Sequence, residues 1–120
     1  MQSVVEIKHD GRWGLSAKFV REKLILALEK VWDKPTYVSL WFVGKKKAKE
    51  LNILHRQMDY VPQVLGFPTG ERVPAADGLV YFGDITVCVP LLKEEAKLYN
   101  RRLEEVLEEW LEHGVGNLFK

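Results

Sequence analysis

The chain has 120 residues, of which 47% are hydrophobic and 29% are charged, and its formal net charge is +1. These values favour one globular domain spanning residues 1–120 and exclude a disordered chain. No apolar run approaches the roughly 20 residues of a membrane helix, and the amino terminus has no secretion signal. The single cysteine, Cys88, excludes an intramolecular disulfide framework and suits the reducing cytoplasm. We therefore expect a cytoplasmic protein, and the lack of a long apolar run predicts that it is not bound to a membrane.

The first third of the chain alternates strand and helix patterns. Residues 4–7 are short and rich in β-branched side chains, which predicts a strand that stops at the polar segment 9–11. Ser16 is a suitable N-cap for a helix that runs to about Trp32, because apolar residues recur along one face. The β-branched and aromatic run Thr36–Val43 then predicts a buried strand.

A second helix and two further strands are predicted next. Residues 45–57 have a helical pattern, and their apolar side chains available for burial are Ala48, Leu51, Ile53 and Leu54. Residues 64–67 predict a short strand, and residues 69–78 contain the glycines and proline typical of a loop. Residues 79–89 give the strongest strand signal, with Cys88 as a small core residue.

The last part of the chain, residues 91–113, is predicted to be helical with a break near Tyr99 and Asn100. Its second half places apolar residues on one face at the helical period and glutamates on the other. The element order β-α-β-α-β-β-α(-α) therefore predicts an α/β (α+β) fold. We expect a single mixed sheet of about four strands with helices packed on it.

Several short motifs follow one another in a fixed order. They are Leu51-Asn52, Arg56 followed by Asp59, the segment 64–68, Gly83-Asp84-Ile85 and His113-Gly114. In order and spacing they resemble the YbeY family of bacterial endoribonucleases, and the resemblance covers about residues 37–115. It implies a YbeY-like fold and a metal-dependent hydrolase that cuts phosphodiester bonds of single-stranded RNA. It also implies a role in 16S ribosomal RNA maturation and ribosome quality control.

The resemblance implies a zinc site made of three histidines. Its first ligand falls on His113, which we expect to project from the buried stripe of the last helix. The second falls on Asn117, and the third would lie past Lys120, so the third ligand is absent from this sequence. Three imidazoles would leave an open position where zinc activates water. One imidazole and one amide make a poor zinc site, because an amide oxygen suits harder cations.

Two further observations weaken the expected metal site. Gly114 and Gly116 lie close together and should weaken the helix that would aim the ligands. His9 and His55 are conceivable substitute ligands, but nothing in their spacing supports that role. Truncation of the gene, a frameshift and true loss of the ligands all remain open as explanations.

Arg56 is the candidate catalytic and substrate-binding residue that the resemblance implies. A guanidinium fork matches two phosphate oxygens and can stabilise negative charge in a transition state. The alternative is a salt bridge between Arg56 and Asp59 at the helix end, and the two roles are compatible because Asp59 could aim the guanidinium. Lys45, Lys46 and Lys49 are candidate contacts to RNA phosphates, with a solvated helix face as the alternative.

The remaining family matches are supporting residues. Asp84 lies in a strand, so its carboxylate must be paired or reach a cleft, and a structural role is the first expectation. Asn52 has no assigned role, although a hydrogen bond from helix to loop would explain it. Where the family commonly has threonine, an acid or amide, and serine, this chain has Pro62, Gln63 and Gly66. Those departures bear on activity more than on fold.

Three functional hypotheses follow. The resemblance favours an enzyme, an endoribonuclease acting on ribosomal RNA or other single-stranded RNA. The alternative is a non-catalytic relative that has lost the zinc site and binds RNA or ribosomal proteins. A third possibility is a rebuilt site that uses another metal through Asn117, or no metal. The sequence does not indicate an oligomeric state.

Overall fold

The computed structural model describes residues 3–8, 13–69 and 73–119. Within these residues the elements are β1 (Val4–Lys8), α1 (Ala17–Val31), β2 (Thr36–Val43), α2 (Lys45–Arg56), β3 (Val64–Pro68), β4 (Val80–Cys88), α3 (Val89–Leu98) and α4 (Leu103–Leu118). Their order matches the prediction, although the predicted stop at residues 9–11 lies outside the described residues. None of the described helices is long and apolar enough to cross a membrane.

The four strands form one mixed sheet in the order β1-β2-β4-β3. Strands β1, β2 and β4 are parallel, and β3 runs antiparallel to β4. The β2–β4 register shifts between Tyr37 and Val38, at the level of Gly83. Gly83 has a φ of +135°, and a Cβ there would overlap the carbonyl oxygen of Phe67. Only glycine fits this irregularity.

Helices α1 and α4 provide much of the main core on one face of the sheet. Ser16 caps α1 as predicted, since its hydroxyl accepts a hydrogen bond from the amide of Phe19 at 3.2 Å. Leu24 of α1 and Leu111 of α4 are fully buried in one hydrophobic cluster with the inward side chains of the strands. Burying each such side chain stabilises the fold by about 1.5–3 kcal/mol.

Helix α2 covers only one end of the opposite face of the sheet. Ala48 packs there in a small buried cluster with Val43 and Cys88, which confirms Cys88 as a core residue. The expectation that Ile53 and Leu54 are buried is wrong, because they are 46% and 68% exposed. The apolar pattern of this segment predicted the helix correctly but overstated how much of the sheet it covers.

The predicted break near Tyr99 and Asn100 is confirmed. Asn100 adopts a left-handed φ of 50°, and the amide of Arg101 donates to the carbonyl of Ala96 at 2.8 Å, which closes the end of α3. The guanidinium of Arg101 then binds both carboxylate oxygens of Glu109, at 2.7 and 2.8 Å. This hydrogen bonding lowers the pKa of Glu109.

Helix α4 continues beyond its predicted end at residue 113 and runs to Leu118 through Gly114 and Gly116. The helix therefore continues in spite of the two glycines that were expected to weaken it. Glycine costs about 1 kcal/mol relative to alanine in a helix. Burial of Val115 and Leu118 in the main core offsets that cost. Tertiary packing therefore overrides local propensity at the end of the chain that carries the candidate metal ligands.

Candidate functional site

A groove of about 550 Å³ lies between the α2–β3 connection, β3 and α4. The residues that line this β3–α4 groove are Arg56, Tyr60, Val61, Pro62, Gln63, Val64, Leu65, Gly66, His113 and Asn117. It brings together Arg56, His113 and Asn117, which the sequence singled out from two distant segments. A larger groove of about 680 Å³ beside α1 contains none of these candidates. We therefore place the candidate site in the β3–α4 groove.

Arg56 reaches the groove because helix α2 ends immediately after it. Gln57 adopts a left-handed φ of 56°, and its amide donates to the carbonyl of Ile53 at 3.0 Å. The amide of Met58 turns back to the carbonyl of Asn52 at 3.4 Å. These bonds close the last turn of α2 and send the following segment along the groove.

The guanidinium of Arg56 is held by neutral acceptors. Its Nη1 donates to Oδ1 of Asn52 at 3.2 Å and to the hydroxyl of Tyr60 at 3.3 Å. Among the described residues, Arg56 forms no ion pair within 4.0 Å; the carboxylate of Asp59 instead lies 3.2 Å from Nζ of Lys49. The alternative prediction of a salt bridge between Arg56 and Asp59 is therefore wrong. An arginine with no carboxylate partner is an available positive charge at the groove.

Asn52 lies behind Arg56 and is fully buried. Its Nδ2 donates to the carbonyl oxygen of Tyr60 at 3.1 Å, so the side chain links α2 to the loop that follows. This is the helix-to-loop hydrogen bond that the sequence suggested as an explanation for Asn52. Tyr60, which the sequence analysis missed, contributes both its carbonyl and its hydroxyl to this arrangement. Its position beside the arginine motif was the only available signal.

His113 and Asn117 enter the groove from α4, four residues apart and therefore one above the other on the helix. The expectation that His113 projects from the buried stripe is wrong, because His113 is exposed while Gly114 and Val115 next to it are buried. Strand β3 approaches Asn117 closely at Gly66. A Cβ on Gly66 would lie 2.9 Å from the Cβ of Asn117.

The donor atoms in the groove do not fit the zinc ion that the family resemblance implies. In the part of the chain that the structure describes, no three histidine, cysteine, aspartate or glutamate side chains are grouped to hold a metal. The groove offers one imidazole, from His113, and two side-chain amides, from Asn117 and Gln63, and amide oxygens suit harder cations than zinc. His55 packs its ring against Phe67, with 4.7 Å between centroids, and His9 lies outside the described residues.

The candidate lysines do not line the groove. Lys45 pairs with Glu94 at 3.1 Å and Lys49 pairs with Asp59 at 3.2 Å, so two of the three charges are compensated locally. Lys46 is exposed on the same helix. Lys46 takes part in neither of these ion pairs, so its charge is not compensated by them. It lies outside the groove.

Asp84 lies outside the groove as well. It pairs across the sheet with Phe67 of β3, and its carboxylate accepts a hydrogen bond from the hydroxyl of Ser39 in β2. Ser39 is buried, whereas Asp84 is exposed. The carboxylate is thus paired, as its place in a strand required, and it is separate from the groove residues.

Comparison with known proteins identifies the family. A family model described as Endoribonuclease YbeY matches residues 11–118. The chain belongs to the YbeY family. It is 32% identical to the endoribonuclease YbeY of Thermotoga neapolitana over 116 residues, which cover 96% of this chain and 71% of that protein. It is 35% identical to the endoribonuclease YbeY of Thiobacillus denitrificans over 81 residues, which cover 68% of this chain and 52% of that protein.

Comparison with solved structures also finds a protein of the same fold. The solution structure of a Thermotoga maritima protein matches with a TM-score of 0.63 and 28% identity, covering 98% of this chain and 73% of that one. This confirms the predicted α/β architecture with one four-stranded mixed sheet. The chain nevertheless spans only 33% to 52% of the length of the first curated YbeY relatives that it matches. The activity of the whole YbeY proteins is therefore a proposal for this chain.

Proposed function

We propose that this chain is a single YbeY-like domain that acts on single-stranded RNA as an endoribonuclease in the cytoplasm. Its substrate would be ribosomal RNA, and its role would lie in 16S ribosomal RNA maturation and ribosome quality control. Membership of the YbeY family supports this proposal. Within the structure, the support comes from the β3–α4 groove and its uncompensated arginine.

The observation that carries the proposal is the electrostatic state of Arg56. In the described residues its guanidinium donates hydrogen bonds only to the neutral side chains of Asn52 and Tyr60. A guanidinium bound to a carboxylate would have its charge compensated, whereas this one is free to attract an anion. A phosphodiester presents two oxygens at the spacing of the guanidinium fork. Arg56 would thus hold the RNA backbone and stabilise charge that develops at phosphorus.

The donor atoms favour a second candidate function. The imidazole of His113 and the amides of Asn117 and Gln63 do not suit a zinc ion. A non-catalytic relative that binds RNA or a ribosomal protein would need the groove and Arg56 but not the metal. Both candidates share the same RNA-binding residue, and they differ in whether bound RNA is cut.

The test compares Arg56→Ala with Arg21→Ala, which makes the same change on the exposed face of α1. Binding of a single-stranded oligoribonucleotide is measured over a range of salt concentrations. Loss of one phosphate contact lowers the slope of log K against log salt by about 0.7 on a single strand. We expect this loss for Arg56→Ala and not for Arg21→Ala. Equal behaviour of the two variants would refute the proposed RNA contact.

A cleavage assay separates the two candidates. Purified protein is incubated with single-stranded RNA, with and without a chelator, and the products are resolved by length. Specific cleavage that depends on Arg56 supports the endoribonuclease. Binding that depends on Arg56 without any cleavage supports the non-catalytic relative.

A further inference from the structure

The amide of Asn52 has only one orientation that satisfies both of its neighbours. A guanidinium can only donate hydrogen bonds and a backbone carbonyl can only accept them. Oδ1 must therefore face Nη1 of Arg56, at 3.2 Å, and Nδ2 must face the carbonyl of Tyr60, at 3.1 Å. Because Asn52 is fully buried, water cannot replace either partner. The hydrogen-bonding pattern thus fixes the amide without ambiguity.

Tyr60 closes this arrangement into a ring of three residues. Its carbonyl is held by Asn52, and its hydroxyl accepts a hydrogen bond from Nη1 of Arg56 at 3.3 Å. The phenol ring is about half exposed at the groove. One residue therefore joins the buried amide to the exposed guanidinium.

The ring determines which edge of the guanidinium is available. Nη1 has two hydrogens, and the acceptors on Asn52 and Tyr60 account for both. Nε and Nη2 have no hydrogen-bond acceptor among the described residues. These two nitrogens form one of the edges that bind two oxygens of an anion side by side.

We propose that Asn52 and Tyr60 are positioning residues that hold Arg56 with its Nε–Nη2 edge open for an RNA phosphodiester. This inference rests on the proposed function, because it assigns the phosphate contact to Arg56. Arginine side chains have many rotamers, and fixing one before binding removes part of the entropic cost of association. Asn52 and Tyr60 do not contact the phosphate; they act through Arg56.

The decisive variant is Tyr60→Phe. It removes the hydroxyl that contacts Arg56 and leaves the backbone carbonyl that Asn52 requires, so the fold is preserved. Tyr99→Phe is the matched control, since Tyr99 is 65% exposed at the end of α3 and away from the groove. Affinity for an oligouridylate is measured by fluorescence anisotropy. We expect Tyr60→Phe to weaken binding about two- to tenfold, the usual range for one hydrogen bond, and Tyr99→Phe to leave it unchanged.

A double-mutant cycle shows whether the effect passes through Arg56. We expect Tyr60→Phe to have no further effect on affinity in an Arg56→Ala background, whereas an independent contact would give additive losses. Asn52→Ala, checked by thermal denaturation to be folded, is expected to couple to Arg56 in the same way. Tyr60→Phe tests the inference by itself if Asn52→Ala does not fold.

The outcomes separate this inference from the proposed function. If Arg56→Ala leaves RNA affinity unchanged, the proposed function fails, and this inference fails with it. If Arg56→Ala weakens binding and Tyr60→Phe does not, or if their effects add, only the positioning role is overturned. Coupled losses support both.

Discussion

The carboxylate of Asp59 lies 3.2 Å from the ammonium group of Lys49 and pairs with it rather than with Arg56. The side chain of Asp59 is 78% exposed, so this ion pair contributes at most about 1 kcal/mol to stability. Its importance is electrostatic. Asp59 compensates the charge of Lys49 and leaves that of Arg56 uncompensated.

Asp59→Asn should therefore release the charge of Lys49 on α2, the helix that also carries Arg56. We expect tighter binding of single-stranded RNA and a change of less than about 0.5 kcal/mol in the free energy of unfolding. Glu29→Gln on α1 is the control, because it changes the net charge of the chain by the same amount away from the groove. Anisotropy at two salt concentrations measures the affinities. Equal gains in both variants would show that only net charge matters.

Gly66→Ala should disturb the contact between β3 and α4. The new Cβ would lie 2.9 Å from the Cβ of Asn117 and 3.0 Å from the carbonyl oxygen of Gly114, both held in packed elements. We expect a loss of about 1–3 kcal/mol in the free energy of unfolding, as for other overpacked sites. Gly116→Ala is the matched control, since a Cβ there meets nothing within 4 Å. It should stabilise the protein by about 0.4–1 kcal/mol in urea denaturation. Stabilisation by both substitutions would contradict the close approach.

Ionisation of the Cys88 thiol should contribute to the loss of stability at alkaline pH. Burial raises the pKa of Cys88 above its ordinary value of 9.0. A group with a raised pKa in the folded state stabilises the fold below its ordinary pKa, and this contribution is lost as pH rises through the raised value. We expect the free energy of unfolding to fall above pH 9.0 in the native sequence and to fall less in Cys88→Ala. Identical alkaline slopes would contradict the assignment.

Most of the fold could be predicted from the sequence because local pattern and packing agree along most of the chain. The buried strand Thr36–Val43 is dense in β-branched and aromatic residues, and the break at Asn100 follows from its tolerance of left-handed backbone. The prediction failed where tertiary packing decides the outcome. Val115 and Leu118 keep α4 helical beyond two glycines, and no local signal reports that burial.

The candidate site was less predictable because it depends on contacts between distant segments. The spacing of His113 and Asn117 on one helix is visible in the sequence. Their position in the same groove as Arg56 depends on the tertiary fold, which the sequence pattern does not report. The partner of Arg56 was also misjudged. A carboxylate three residues later suggested a salt bridge, whereas the left-handed turn at Gln57 brings the hydroxyl of Tyr60 to the guanidinium instead.

Asn117→His should create the zinc affinity that the present donor atoms do not provide. It would place a second imidazole one helical turn after His113, in the same groove, and such a pair can share one zinc ion. We expect the affinity for zinc to rise at least about tenfold, equivalent to about 1.4 kcal/mol, in isothermal titration calorimetry. The double variant His113→Ala/Asn117→His should lose this gain, because it again offers a single imidazole. Zinc binding by the native chain as tight as that of Asn117→His would show that the donor atoms were misjudged and that the groove already holds a metal.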